Sequence, residues 1–272
     1  MPELPEVEVV RRGMADHLIG GVFEQVEVLH PRANRGQDAP LDALLVGATI
    51  LDIRRRGKYL WCDLGDSALF IHLGMSGQVL IGEPGTCTSP HLRIRAEVSG
   101  REVAFVDQRT FGRWLHTPLV GGIPAPVAHV ALDPLEADFD VAATARRIRA
   151  KKSAVKTVLL DQTVVSGIGN IYADEALWQA GILPTRRASS LRQRDVVSLL
   201  DAAADVMRRA LDAGGTSFDA LYVNVNGASG YFSRSLNAYG QEGRPCRRCG
   251  TPIRRVSFQN RSTHYCPACQ KL

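Results

Sequence analysis

Four cysteines near the C-terminus constrain the fold of this chain more than any other feature of its sequence. Cys246 and Cys249 form one C-x2-C pair, and Cys266 and Cys269 form a second pair after a gap of sixteen residues. This spacing lets two tight turns present four thiolates to a single tetrahedral zinc ion. Because so short a segment has little core, zinc must supply much of its folding free energy. The sequence therefore predicts one structural Zn2+ ion in a module spanning 241–272.

The charges of this module indicate what it contacts. The segment 254–258 alternates in polarity and predicts one arm of a β-hairpin with 260–262 at its tip. After Glu242 the chain has no acidic residue, and a second acid-free basic block lies at 141–160. The basic side chains of the two blocks are Arg146, Arg147, Arg149, Lys151, Lys152, Lys156, Arg244, Arg247, Arg248, Arg254, Arg255, Arg261 and Lys271. Together with a net charge of +5, these blocks predict a surface that faces phosphates. A module that only anchors the C-terminus is the alternative.

Nothing in the sequence predicts a leader peptide or a membrane span, because no apolar run approaches the roughly 20 residues that a bilayer requires. We therefore expect a cytoplasmic protein whose cysteines are reduced. Cys62 and Cys87 lie outside the four-cysteine set, and we interpret them as a buried strand thiol and a loop residue.

The rest of the chain predicts an α+β protein with three parts. A helix is expected at 2–18, with Val7, Val10, Met14 and Leu18 at helical spacing. From 22 to about 114, short apolar runs between turn residues predict a β-sandwich. Prolines at 124, 126 and 134 predict a linker, and helical periodicity follows at 141–150, 154–160, 171–180 and 191–213. The expected domains are 1–133, 134–240 and 241–272.

The chain start has two interpretations. Proline and acids are favoured in the first turn of any helix, so Pro2, Glu3 and Glu6 could be purely structural. If Met1 is removed, however, Pro2 presents a secondary amine that can attack a carbon centre. A typical α-amino group titrates near pH 8 and a lysine near 10.4, which favours the terminus as a nucleophile at neutral pH. Glu3 could then transfer protons and Glu6 could orient the terminus. We predict that the active enzyme lacks Met1.

Six segments taken together are similar to formamidopyrimidine-DNA glycosylases, and the resemblance runs along the whole chain. They are PELPEVE at 2–8, RGKYL at 56–60, HLGMSG at 72–77, DQRTFG at 107–112, SGIGNIYADE at 166–175 and the four cysteines. The resemblance implies an N-terminal helix on an antiparallel β-sandwich, a helix-two-turns-helix domain and a zinc-finger hairpin, with damaged double-stranded DNA bound between the domains. It also implies a monomer with no membrane partner.

The resemblance further implies a base-excision repair enzyme that acts on oxidised purines, 8-oxoguanine and formamidopyrimidines. In this family the Pro2 nitrogen attacks C1′ of the damaged nucleoside, forms a Schiff base and nicks the strand by β- and δ-elimination. Glu3 matches the general acid/base, and Lys58 matches a lysine that reaches the sugar and phosphate of the lesion. Arg261 matches a catalytic finger arginine that grips phosphates beside the flipped nucleotide.

Further residues match the DNA-binding positions of the family. Met75, Arg109 and Phe111 correspond to the three side chains that fill the space left by the flipped base. Asn170 follows two glycines at the start of a helix, where backbone N–H groups suit a phosphate. His72, His91 and Lys156 resemble other DNA or lesion contacts, and 216–231 matches the loop that closes over the base. From the residues alone, Met75, Phe111 and His72 could be core residues, and Lys58, His91 and Lys156 could be solvated.

Three other functions are weighed against this one. Endonuclease VIII acts on oxidised pyrimidines and shares Pro2, Glu3 and the zinc finger, but the PELPEVE start, the loop at 109–111 and the long capping loop argue against it. A DNA-damage binder without catalysis is disfavoured because Pro2, Glu3 and Lys58 are all present. A plain zinc-ribbon module leaves the first 240 residues unexplained.

Overall fold

The computed structural model describes residues 2–215 and 235–271. Within these ranges the chain forms two compact units, one made of 2–129 with 213–215 and the other of 130–212 with 235–271. The predicted boundary at 133/134 thus falls four residues beyond the division at 129/130. None of the helices in the described ranges combines the length and apolar character that a membrane span needs.

The first unit is an N-terminal helix with two antiparallel sheets. Helix α1 spans Leu4–Leu18 and α2 spans Leu41–Leu45, with a short 3-10 helix at Pro31–Asn34 and another at Ala125–Val127. The strands are β1 Phe23–Val28, β2 Asp52–Arg56, β3 Tyr59–Asp63, β4 Ser67–His72, β5 Gly77–Gly82, β6 Leu92–Val98, β7 Arg101–Asp107, β8 Arg113–Val120 and β9 Ile123–Pro124. One sheet has the order β1-β6-β7-β5 and the other β2-β3-β4-β8-β9.

The core of this unit lies between the sheets and under α1. The predicted apolar stripe of α1 is buried, since Val7, Val10, Met14 and Leu18 are each at most 2% exposed. They share one cluster with apolar side chains from both sheets, including Phe105 and Trp114. The apolar runs of β3, β4 and β7 therefore form strands as their pattern predicts. This packing holds the first residues of the chain against the sandwich.

The second unit combines helices with a short hairpin. Its helices are α3 Val141–Arg149, α4 Val155–Leu159, α5 Asn170–Ala180 and α6 Gln193–Asp212, with a 3-10 helix at Ala188–Ser190. Strands β10 Arg254–Phe258 and β11 Arg261–Tyr265 pair antiparallel. The hairpin packs on α5, and the helices and the four-cysteine segment belong to the same compact unit.

The hairpin tip differs from its prediction by one to two residues. Arg261 pairs with Phe258, so it is the first residue of β11. Gln259 and Asn260 form the turn with φ values of 49° and 59°. The type I′ turn of a two-residue hairpin requires positive φ at both central positions, which favours Asn and Gly. A Gln–Asn pair is a weak signal for such a turn. The predicted tip at 260–262 therefore lies one to two residues C-terminal to the turn at 259–260.

Candidate active site

The start of the chain is fixed in place by a reciprocal pair of hydrogen bonds. Glu3 precedes α1, its side chain accepts the Glu6 backbone N–H, and Glu6 Oε2 accepts the Glu3 backbone N–H at 2.9 Å. Both carboxylates are 3% exposed, and Pro2 is buried beside them in the sequence. Chain ends usually fray unless they are tied down. The first residue after Met1 therefore has a defined position at the helix N-terminus.

Lys58 lies in the turn between β2 and β3, against which α1 packs. Gly57, at φ 55°, forms the turn with it, and glycine is the residue that adopts positive φ without a steric penalty. The lysine is only 7% exposed. The alternative of a solvated turn lysine is therefore wrong, because the neighbouring elements enclose the side chain.

His72 ends β4 close to the lysine turn. Its ring stacks on Tyr59, the residue after Lys58, with ring centroids 5.2 Å apart. Burial lowers the pKa of His72 to about 4, and the positive charges of Arg113, Arg35 and Lys58 add to the effect although Asp107 opposes it. The imidazole is consequently neutral near pH 7. A neutral ring beside a lysine adds no further positive charge to the turn.

Met75, Arg109 and Phe111 come from two adjacent loops of the first unit. Met75 and Phe111 are 43% and 45% exposed, so the alternative that they are core residues is wrong. Arg109 is also exposed, and its Nη1 lies 3.5 Å from the Met75 sulfur. Large side chains on exposed loops are available to a ligand. The structure thus brings the three predicted void-filling residues onto one region of the surface.

Asp107 holds these two loops together, and the sequence analysis did not identify it. The side chain is fully buried. Its Oδ1 accepts hydrogen bonds from Ser76 Oγ at 2.6 Å and the Arg109 N–H at 3.2 Å, and its Oδ2 accepts one from the Gly112 N–H at 2.7 Å. A carboxylate that ends a buried strand just before a loop was the only sequence signal for this role.

The two loops also approach each other too closely for a larger residue at Gly74. A Cβ atom there would lie 2.5 Å from the Gly112 nitrogen, and the φ of Gly74 is 63°. Arg35 donates to the Phe111 and Gly112 carbonyls at 2.9 and 3.1 Å. The conformation of the loop tips is therefore determined by backbone contacts as well as by Asp107.

His91 lies beside the same loops. Its carbonyl accepts the Asp107 N–H at 2.9 Å, and its Nδ1 is 3.3 Å from an Arg93 nitrogen. Arg93 in turn donates to the Asp107 carbonyl at 2.8 Å. The partly exposed His91 ring is therefore held by its backbone next to the residue that organises the void-filling loops.

In the second unit, Asn170 begins α5 and contacts the hairpin. Its Nδ2 donates to the Ser262 carbonyl at 2.9 Å. Its Oδ1 is buried and has no hydrogen-bond partner among the described residues. Arg261 is exposed next to Ser262. The predicted helix-start and finger residues therefore lie in one local region of this unit.

Lys156 is placed differently from its prediction. The side chain is fully buried, and its Nζ donates to Asp174 Oδ1 at 2.6 Å, Thr263 Oγ1 at 2.8 Å and the Ser262 carbonyl at 3.2 Å. Asp174 Oδ2 also accepts the His264 backbone N–H at 2.8 Å. An ammonium group enclosed by protein acceptors does not reach a phosphate. The burial contradicts a direct DNA contact by Lys156, whose ion pair instead connects α4, α5 and β11.

The four cysteines meet in one cluster. Their sulfur atoms all lie within 4.8 Å of one another, and the Cys246–Cys269 and Cys249–Cys266 pairs are 4.0 and 3.5 Å apart. Four thiolates at zinc–sulfur distances of about 2.3 Å are separated by about 3.8 Å, so the cluster fits a tetrahedral zinc ion. Trp178 Nε1 donates to the Cys246 sulfur at 3.4 Å. The prediction of one structural Zn2+ is confirmed by this geometry and by the zinc-finger match below.

The two basic blocks are largely on the surface. Arg146, Arg147, Lys151 and Lys152 are exposed in the first block, and the exposed arginines of the finger are Arg244, Arg247, Arg248, Arg254, Arg255 and Arg261. Arg255 pairs with Glu242 at 3.5 Å, and exposed cationic groups in general attract polyanions. The capping loop expected at 216–231 lies outside the described residues.

Comparisons with known proteins agree along the whole chain. Three family models match: Formamidopyrimidine-DNA glycosylase N-terminal domain at residues 1–114, Formamidopyrimidine-DNA glycosylase H2TH domain at 130–221, and Zinc finger found in FPG and IleRS at 243–272. A formamidopyrimidine-DNA glycosylase from Corynebacterium urealyticum is 61% identical, with 99% of each chain covered. One from Rhodococcus opacus is 58% identical and covers 100% of this chain and 97% of its own.

Solved structures agree as well. A Lactococcus lactis FPG mutant in complex with Fapy-dG containing DNA superposes with a TM-score of 0.89 at 32% identity, with both chains fully covered. A MutM structure in complex with carbocyclic 8-oxo-G containing DNA gives a TM-score of 0.88 at 32% identity, again over the full length of both chains. The predicted fold class, an N-terminal helix and β-sandwich with a helix-two-turns-helix region and a zinc-finger hairpin, is confirmed.

Proposed function

Because the chain belongs to the formamidopyrimidine-DNA glycosylase family, we propose that it binds damaged duplex DNA and that its Pro2 nitrogen is the nucleophile. The chain is a DNA glycosylase and AP lyase of base-excision repair that acts on oxidised purines. The finer assignments, which concern individual residues and lesions, are proposals supported by the geometry within each unit and by the relatives.

The buried start of α1 is the observation that carries this proposal. A proline that follows Met1, buried against a helix whose first carboxylates are also buried, is unusual for a chain end. With Met1 removed, the secondary amine lies next to Glu3 in sequence, within a network that Glu6 completes. An amine nucleophile with a neighbouring carboxylate as proton acceptor is the arrangement that covalent catalysis requires.

The reaction then proceeds through the protein's own groups. The Pro2 lone pair forms a bond to C1′, and the glycosidic bond breaks with its electron pair leaving on the base, which takes up a proton. Ring opening gives the iminium ion. Loss of a proton from C2′ then expels the 3′ phosphate, and a second elimination expels the 5′ phosphate. Glu3 donates and accepts protons in these steps, and Lys58 holds the sugar and phosphate of the lesion.

The DNA contacts are proposed separately for the two units. In the first unit, Met75, Arg109 and Phe111 fill the space of the flipped base, with Arg109 donating to the orphaned base. His72 and His91 lie beside the backbone of the damaged strand. In the second unit, Asn170 and Arg261 bind phosphates, and the unpartnered Asn170 Oδ1 accepts a hydrogen bond from a bound ligand or water. Lys156 is assigned the structural role of holding Ser262 and Thr263.

We further propose that the enzyme acts as a cytoplasmic monomer on nucleoid DNA. All proposed catalytic groups come from one chain, so no second copy is needed. Zinc-binding thiolates also persist best in a reducing compartment. Both 8-oxoguanine and ring-opened purines are proposed as substrates, because the relatives with these lesions in their DNA share the full-length fold.

Borohydride trapping tests the nucleophile. Protein that begins at Pro2 should form a stable covalent adduct with a duplex that contains 8-oxoguanine opposite cytosine. A chain with an uncleaved N-terminal extension, in which the Pro2 nitrogen is an unreactive amide, should form none although it binds the same duplex. Adduct formation that survives the extension but disappears in Lys58→Ala would transfer the role of nucleophile to the lysine. Binding without any adduct or cleavage would support the non-catalytic alternative.

A further inference from the structure

A buried ion pair connects the N-terminal helix to the strand that leads into the lysine turn. Glu8 lies one to two turns after Pro2 on α1, and Arg55 is the penultimate residue of β2. Arg55 Nε donates to Glu8 Oε2 at 3.0 Å, and the two side chains are 8% and 12% exposed. A charged group is rarely this buried unless it is paired. The contact therefore defines the position of β2 relative to α1.

The same guanidinium also contacts the turn itself. Arg55 Nη1 donates to the Gly57 carbonyl at 3.0 Å. Gly57 has φ 55° and directly precedes Lys58, so the hydrogen bond acts on the peptide that sets the direction of the lysine Cα. The planar fork of arginine can serve two acceptors at fixed relative positions, which a lysine ammonium cannot do in the same geometry.

Glu8 is itself held by other arginines. Arg11 donates to both carboxylate oxygens at 2.9 Å, and Arg12 donates to Oε1 at 2.9 Å. Arg11 Nη1 further donates to the Ile53 carbonyl of β2 at 3.2 Å. Burial alone raises the pKa of Glu8, but the arginines outweigh it and lower the value to about 2. The carboxylate is therefore ionised at any pH at which the protein works, and it retains two cationic partners if Arg55 is removed.

We propose that Arg55, oriented by Glu8, is a positioning residue that sets the location of Lys58 relative to Pro2 and Glu3. Pro2 and Glu3 are placed by α1, and Lys58 is placed by the β2–β3 turn. The path from Glu8 through Arg55 to the Gly57 carbonyl joins these two elements next to the reacting groups. Displacement of a catalytic group by about 1 Å can reduce a rate by about a hundredfold. This inference rests on the proposed function of Pro2 and Lys58.

A double-mutant cycle tests the proposal. Arg55→Met removes the hydrogen bonds to Glu8 and to the Gly57 carbonyl and retains most of the side-chain volume, while Glu8 keeps Arg11 and Arg12. The matched control is Arg54→Met, because Arg54 is the neighbouring residue, is 48% exposed and pairs with Asp52 and Asp63. Excision from a duplex with 8-oxoguanine opposite cytosine is measured with enzyme in excess, over incubations long enough to follow slow variants.

The expected result is a loss that depends on Lys58. Arg55→Met should lower the single-turnover rate by about tenfold or more, with DNA affinity changed by less than about twofold because Arg55 is buried. In a Lys58→Ala background, Arg55→Met should change the rate by less than about twofold. Arg54→Met should have little effect in either background. An equal loss in both backgrounds would show a general structural role and overturn the proposal.

A second variant tests the proposal if Arg55→Met does not stay folded. If Arg55→Met unfolds at the assay temperature, Arg55→Lys keeps the charge beside Glu8 without the fork, and the same dependence on Lys58 is expected with a smaller loss. Additive effects of Arg55→Lys and Lys58→Ala would again overturn the proposal. The chain with a blocked Pro2 separates the two hypotheses. Activity in that chain refutes the proposed nucleophile, whereas a Lys58-independent Arg55 effect with an inactive blocked chain refutes only the positioning role.

Discussion

Replacement of Asp107 by asparagine is the sharpest test of how the void-filling loops are held. The carboxylate accepts three hydrogen bonds in a fully buried position, from Ser76, Arg109 and Gly112. In Asp107→Asn one oxygen remains for two of the donors, and the new NH2 group faces the third. Hydrogen bonds to a charged group contribute about 1.5–3 kcal/mol, and a buried donor without an acceptor costs about 1–3 kcal/mol. We expect the first unit to lose about 3 kcal/mol of unfolding free energy.

The matched control is Asp52→Asn in the same unit. Asp52 is 46% exposed and pairs with Arg54 at 2.9 Å. Surface pairs contribute about 0–1 kcal/mol, so this variant should unfold within about 1 kcal/mol of the parent protein. Urea unfolding followed by tryptophan fluorescence measures both variants, because Trp61 and Trp114 are buried in the first unit. Trp178 belongs to the other unit and reports its transition.

A comparison of two reactions distinguishes a displacement of the loops from a general loss of stability. Extrusion of a base from a duplex costs a few kcal/mol of stacking and pairing, and we expect the loops that carry Met75, Arg109 and Phe111 to offset part of this cost. A loss of about 1.4 kcal/mol of that contribution slows excision about tenfold. Asp107→Asn should therefore slow 8-oxoguanine excision from duplex DNA by tenfold or more. Cleavage at an abasic site in single-stranded DNA, where no base leaves a stack, should change by less than about twofold. An equal decrease in the rates of both reactions would contradict this role of Asp107. So would an unfolding free energy of Asp107→Asn as high as that of Asp52→Asn.

Three further predictions concern the metal, the pH dependence and the DNA contacts. Chelation of zinc should change Trp178 fluorescence and abolish DNA binding while the first unit keeps its urea midpoint, and an unchanged affinity after verified zinc loss would assign the finger a purely structural role. His72, buried as the neutral imidazole with a pKa of about 4, should contribute about 3 kcal/mol of stability above pH 6.5 that is lost as the pH falls towards 4. In His72→Gln the free energy of unfolding should depend less on pH in this range, and the same pH dependence in both proteins would contradict the assignment. Arg261→Ala should lower the slope of log affinity against log salt by about one, and an unchanged slope would remove the phosphate contact.

The sequence predicted best where neighbouring residues determine the structure. The cysteine spacing predicted a zinc site because each pair is a local turn that needs no information from the rest of the chain. The buried stripe of α1 followed from helical periodicity, and the strands around Trp61 and Phe70 followed from short apolar runs. These patterns depend on which face of a helix or strand is buried, and the order of polar and apolar residues within that element determines the buried face.

Prediction failed where the environment of a side chain is built by distant segments. Lys156 belongs to a basic block, yet its partners Asp174 and Thr263 come from a later helix and from the hairpin. For Lys58 the residues alone also allowed a solvated turn lysine, but the residue is 7% exposed. Asp107 gave only a weak signal, because a single carboxylate at a strand end does not reveal which backbone N–H groups will surround it.

Four buried carboxylates hold neighbouring segments of this protein in place, although the substrate of the chain is a polyanion. Glu8 holds the arginine of the lysine turn, Asp107 holds the void-filling loops, and Asp174 holds Lys156 and the hairpin. Glu175, 1% exposed, accepts the backbone N–H groups of 237–239. Each burial costs desolvation free energy that a hydrophobic residue would avoid. A carboxylate, however, can accept several N–H groups of an irregular loop at once, and the side chains that we propose to enter DNA lie on such loops. Enclosing the acids also removes their charge from the surface that faces phosphates.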